Sequence, residues 1–138
     1  MNPHEKINYL EFPAKDIEAT KTFFTQVFGW SFVDYGPEYT AFSQHHDKTL
    51  TDAKNNQKVE ETNEKSIEGG FFQSDLCSST KNGSALTVFY SNNLEQTQSK
   101  IEQAKGTIIE PIFTFPGGRR FHFSDPNGNE FAVWSDKV

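Results

Sequence analysis

The chain has little sulfur, little basic charge and no long apolar run, and each shortage removes a class of function. Cys77 is the only cysteine, so no internal disulfide and no cysteine-type zinc site is available. Basic residues number 13 against 19 acidic ones, for a net charge of −6, and Arg119-Arg120 is the only adjacent basic pair. Phosphate backbones and anionic bilayers require concentrated positive charge, so neither nucleic acid nor a membrane is an expected partner. An anionic small molecule is a different matter, since one or two arginines suffice to hold it. No apolar run approaches the roughly 20 residues that span a bilayer. The opening MNPHEKINYLEF has no basic stretch leading into an apolar core. No signal peptide is therefore expected, and a cytoplasmic location is.

What is plentiful is aromatic surface. The hydrophobic fraction is only 34%, yet 14 Phe, 4 Tyr and 2 Trp are present, and such side chains bury much area per residue. With 138 residues, a single domain covering 1–138 with a real core is expected.

The chain repeats itself. KINYLEF (6–12) reads as a strand ended by PAKD. Then Ile17, Phe24, Val27 and Phe28 fall on one helical face, with Asp16 as N-cap and Gly29 just past the end. WSFVDY (30–35) and YTAFS (39–43) read as strands around Gly36-Pro37. In the second half SALTVFYS (84–91) is a strand, Asn92 and Asn93 offer a cap, and Leu94, Thr97, Ile101 and Ala104 make a helical face ended by Gly106. TIIEPIF (107–113), RFHFS (120–124) and NEFAVW (129–134) are strands, the last two joined by the turn Asp125-Pro126-Asn127-Gly128. An offset of 77 residues lays Phe12 on Phe89, Asp16 on Asn93, Ile17 on Leu94, Phe24 on Ile101 and Gly29 on Gly106. The stretch 47–66 is polar and reads as a loop, after which Ile67 to Phe72 returns to strand across Gly69-Gly70. Module one thus spans 1–73 and module two 84–138, each a strand, a helix and about three strands.

Two such modules, with INYLEFPAKD, FGW, GGF and DPNGN in this order, resemble the vicinal oxygen chelate superfamily. That group holds glyoxalase I, bleomycin-resistance proteins and extradiol dioxygenases, and small glyoxalase-like proteins are the nearest in pattern. The resemblance implies an α+β fold of two βαβββ modules, their curved mixed sheet around a cleft and the helices outside. It also implies a divalent metal held by His, Gln or Glu on cleft-facing strands. Carried over by position, the ligand sites fall on Tyr9, Leu86 and Ala132, with a fourth between Ile67 and Phe72, where Glu68 is the only carboxylate. Leu86 and Ala132 have no donor atoms, so no cofactor is expected and a divalent metal is disfavoured.

Strand alternation names the residues that line the cleft instead. Leu10, Phe12, Phe121, Phe123, Phe131 and Val133 are assigned to the helix side. Tyr9, Glu11, Leu86, Val88 and Tyr90 are left facing in, with Arg120, His122, Glu130, Ala132 and Trp134. Tyr9, Tyr90, Arg120, Glu130 and Trp134 suit ligand binding, as flat apolar walls with polar groups between them. Glu11 and His122 are the candidates for moving protons. Against these stand plainer roles: a carboxylate at the cleft mouth, a hydrogen-bonded sheet histidine, rings that only pack. His45-His46 border the polar loop and point to opposite faces, so they read as solvated. Gly117-Gly118-Arg119-Arg120 reads as a turn with solvated arginines, with anion binding through backbone amides as the alternative. Cys77 has no flanking charge that would activate it.

Three functions follow. The first is a small-molecule-binding protein working without a metal. The second is a lyase or isomerase using Glu11 and His122, with or without a metal. The third is a homodimeric interaction module whose cavity is filled.

Overall fold

A computed structural model describes residues 2–45 and 66–138. His46 and, but for Ser66, the polar stretch 47–66 lie outside the described residues. Strand β1 (Tyr9–Ala14), helix α1 (Ile17–Phe28) and strands β2 (Ser31–Asp34), β3 (Tyr39–Ser43) and β4 (Glu68–Gln73) form the first half. A single 3₁₀ turn (Thr80–Asn82) leads to β5 (Thr87–Tyr90), α2 (Leu94–Gln103), β6 (Thr107–Phe115), β7 (Gly118–Ser124) and β8 (Glu130–Ser135). The sheets run β1-β4-β3-β2 and β5-β8-β7-β6, with the first and last strands of each module paired in parallel. The order is the same in both halves, so the repeat seen in the sequence is one of topology: α+β, two βαβββ modules.

Each helix starts where a short polar side chain satisfies a free backbone N–H. Asp16 accepts from the Ala19 amide at 3.1 Å, and Asn93 from the Gln96 amide at 3.1 Å. Gly29, at φ 72°, closes α1 in the left-handed region. Helix α2 departs from the expectation that Gly106 does the same. Lys105 takes the left-handed conformation, at φ 71°, while Gly106 is needed for its size. A Cβ there would stand 2.6 Å from Ile101 and 2.9 Å from Phe23.

Strand β1 also runs two residues past its expected end, through Pro13 and Ala14. It lies at the edge of its sheet, so Pro13 forfeits no ladder bond by lacking an N–H.

One core serves both modules. Phe24 of α1 lies within ring-contact distance of Phe71 in the first sheet and Phe131 in the second, at 5.4 and 5.6 Å between centroids. Phe12 reaches Phe131 at 5.3 Å, and Phe28 stacks on Phe89 at 4.2 Å. Phe121, Phe123, Phe131 and Val133 are buried on this side, as alternation requires.

The turn between β7 and β8 fastens the modules together. Asn127 accepts from the Asp16 amide at 2.8 Å and donates to Thr20 Oγ1 at 2.5 Å. Asn129 donates to the Pro13 carbonyl at 2.7 Å and accepts from the Ser78 amide at 2.7 Å. Asp125, buried beneath, accepts from the amides of Asn127 and Asn129, both at 2.9 Å. Burial pushes its carboxyl up to about 6, from an ordinary 3.8, against the pull of those hydrogen bonds. The folded state therefore holds this proton more firmly than the unfolded chain does. Its contribution to stability is complete below pH 3.8 and lost as pH rises through 6, about 3 kcal/mol over the window. Thermal melts between pH 4 and 7 should show this component, and Asp125→Asn should flatten the slope. An unchanged slope would show that Asp125 is not its source.

Candidate functional site

Each sheet buries one face against the helices and leaves the other open. Phe12 and Ala14 are buried on β1, so Tyr9 and Glu11 occupy the open face. On β5, Val88 and Tyr90 are 42% and 47% exposed. Arg120 and His122 alternate with buried Phe121 and Phe123, and Glu130, Ala132 and Trp134 with buried Phe131, Val133 and Ser135.

On module two the open face carries a connected cluster. Arg120 Nη2 lies 3.0 Å from His122 Nε2, and His122 Nδ1 lies 3.0 Å from Glu130 Oε2. The other oxygen of Glu130 accepts from Thr80 twice, from the amide at 2.9 Å and from Oγ1 at 2.8 Å. Burial pushes the Glu130 carboxyl up, but the bonds from His122 and Thr80 outweigh it and hold the group below its ordinary value. The guanidinium of Arg120 sits 5.9 Å from the centre of the Phe113 ring and 5.8 Å from that of Phe115. Trp134 stands opposite Arg120 in the β7–β8 register, edge-on to Tyr90 at 5.1 Å and to Phe115 at 6.3 Å. Tyr90 donates to Asp136, which raises the phenol pKa and lowers that of the carboxyl.

Strand alternation alone does not set Phe113 and Phe115 beside Arg120, because β6 shifts register twice, first between Ile108 and Glu110. Between Glu110, opposite His122, and Phe113, opposite Arg120, β6 carries one residue more than β7. This bulge spans Pro111, which has no N–H to leave unpaired, and Ile112, and beyond it Phe113 shares the face of Arg120. Thr80 was equally hidden, 50 residues from Glu130 in sequence. The expectation that Arg119 and Arg120 lie solvated in a turn is corrected. Both belong to β7, Arg119 pairs with Glu95 on the helix side, and the Nε of each is buried without a partner.

Module one presents a separate wall. Tyr9 and Tyr39 share a hydrogen bond of 2.5 Å over Gly70, where a Cβ would stand 2.0 Å from the Tyr39 hydroxyl oxygen. Burial, then Tyr9 and Glu11, push the Tyr39 phenol above its ordinary range. Among the described residues no hydrogen bond or ring contact joins Tyr9 or Glu11 to the Arg120 cluster. The two walls belong to different sheets, β1-β4-β3-β2 and β5-β8-β7-β6. His45 is exposed, with Ser66 Oγ 3.1 Å from its Nε2. Of two surface hollows, one lies at the start of α1 and the other between the end of α1 and the start of α2, bordered also by Tyr90. Neither contains Arg120, His122 or Trp134.

The register settles which residue fills the fourth position that the family's metal would use. Glu11 pairs with Gly70, and its counterpart Val88 pairs with Ala132. Gly70 therefore stands where Ala132 does, and Glu68 corresponds to Glu130. The set is Tyr9, Gly70, Leu86 and Ala132, with a single donor atom among four side chains, and a tyrosine is a rare ligand for such metals. Among the described residues no three His, Cys, Asp or Glu side chains group so as to hold an ion. The residues present do not fit the group.

No helix among the described residues is long and apolar enough to cross a membrane. No curated protein matches the sequence significantly. Solved structures resemble it over nearly their whole length. A glyoxalase/bleomycin resistance protein/dioxygenase family enzyme from Burkholderia phytofirmans PsJN is 14% identical with a TM-score of 0.68, covering 96% of this chain and 99% of its own. Lactoylglutathione lyase from Agrobacterium tumefaciens is 17% identical, TM-score 0.60, with coverages of 97% and 96%. Fosfomycin resistance protein FosX from Mesorhizobium loti is 13% identical, TM-score 0.66, with coverages of 99% and 96%. At such identities the likeness is one of fold. The sequence profile of one family matches residues 6–133, and by that match the chain belongs to the Glyoxalase/Bleomycin resistance protein/Dioxygenase superfamily.

Proposed function

We propose that the protein binds a small, flat organic molecule on the open face of module two, without a metal, as a carrier or sequestering protein. One observation carries this reading. Three of the four metal positions hold no donor atom, while next to them Arg120, His122 and Glu130 are ordered beside the rings of Tyr90 and Trp134. Flat apolar walls with a few fixed polar groups are what small-molecule sites are made of. Neighbours named for lactoylglutathione and for fosfomycin resistance tie the fold to small organic molecules.

An enzyme using Glu11 and His122 would need both on one substrate. They lie on different sheets with no described contact between them, and the His122 nitrogen that would take a proton faces Arg120. Coverage of the open faces by a second copy is the other competitor, favoured by Tyr9, Phe72, Val88 and Tyr90, each at least 38% exposed. A thermal-shift and calorimetric screen of aromatic acids, amides and alcohols, with and without chelator, separates these readings. Saturable binding unaffected by chelator is the expected result. Binding that requires added zinc, nickel or manganese would overturn it. So would a stable dimer with Tyr9 and Tyr90 protected and no compound bound.

A further inference from the structure

We infer that Arg120 recognises a carboxylate on that molecule, and that Thr80, Glu130 and His122 form a chain that aims the guanidinium. The inference rests on the binding reading above and names the ligand's chemical class.

The direction of every bond in the chain is forced. Arginine has donors only, so at 3.0 Å the Nε2 of His122 must be the acceptor. The ring proton is then on Nδ1 and is given to Glu130. The other oxygen of Glu130 is held by a backbone amide, which cannot reverse. The imidazole is thus a fixed neutral tautomer, and its side chain and that of Glu130 are only 19% and 10% exposed.

A carboxylate placed directly on Arg120 would hold it equally well and cancel its charge. Interposing a neutral imidazole orients the guanidinium and leaves the charge uncompensated. Among the described residues Arg120 forms no ion pair. Phe113 and Phe115 flank it, and its Nε is buried without a partner. A half-buried charge in this position calls for an anion. One guanidinium suits a single negative charge, and its planar fork suits a carboxylate. Glu110, opposite His122 on exposed β6, adds negative potential at the rim and disfavours anions of higher charge. The body of the ligand then lies along Trp134 and Tyr90.

The test uses the full chain and three matched pairs: benzoate, phenylacetate and indole-3-acetate, each against its amide. Calorimetry should show at least one acid binding tenfold or more tighter than its amide. Arg120→Gln should abolish that preference, and Arg120→Lys should restore it only in part. Glu130→Gln provides the readout for the chain. The Thr80 amide keeps the new carbonyl oxygen, so the new NH₂ meets His122 and drives its proton to Nε2, donor against donor with Arg120. Imidazole ¹⁵N shifts of Nδ1 and Nε2 should exchange character, and the acid preference should fall severalfold. Acids and amides bound equally would overturn carboxylate recognition and leave the binding reading standing. Binding by none of the six would overturn both. An unaltered tautomer and preference in Glu130→Gln would overturn the aiming chain alone.

Discussion

Phe24→Ala is expected to lower the unfolding free energy by about 3–5 kcal/mol, a large part of what a domain of this size has. Phe24 is fully buried and is the ring around which the core is organised. It stacks on Trp30 at 4.6 Å, meets Phe23 edge-on at 5.0 Å and touches one sheet through Phe71 and the other through Phe131. The hole left by the ring is bordered by other rings on strands and on its own helix. These are stiff neighbours that cannot fold inward to fill it, which puts the cost toward the upper end. Urea denaturation followed by tryptophan fluorescence measures it. A loss below 1 kcal/mol would mean that the two sheets do not share this core. Phe24→Leu, which keeps most of the volume, should cost well under half as much.

Asn129→Ala should cost nearly as much, about 3–4 kcal/mol, through a different mechanism. The fully buried side chain pairs the Pro13 carbonyl, the Ser78 amide and one oxygen of Asp125. Removing it leaves these groups without partners in a buried or partly buried region, at about 1–3 kcal/mol each before relaxation. Asn129→Asp is the informative companion. It is nearly the same shape, yet at neutral pH it turns an acceptor toward the Pro13 carbonyl and faces Asp125 with a second carboxylate, so it should be worse than alanine. Equal stability of wild type and Asn129→Asp at pH 7 would refute this account of the turn.

Much of the architecture was written in local chemistry. The caps at Asp16 and Asn93, the alternation in RFHFS and NEFAVW, and the common offset of the halves are short-range signals, and strand parity alone assigned Tyr9, His122 and Trp134 to the open faces. Two register shifts in β6 hid which residues of β7 Phe113 and Phe115 would face. Sequence separation hid Thr80. The assignment of Gly70 needed the pairing of Glu11 with Gly70 and Val88 with Ala132, which exists only once strands are in register. The role of His122 depended on which atom faces which, and no spacing encodes that.

The irregular sixth strand has one more consequence. Between Glu110 and Phe113 the bulge absorbs one surplus residue, so loss of one amino acid there would make the pairing regular and leave Phe113 and Phe115 in register with β7 as they are. The strand can therefore shorten by one amino acid at that point and keep both rings beside the arginine, a tolerance that an evenly paired strand lacks.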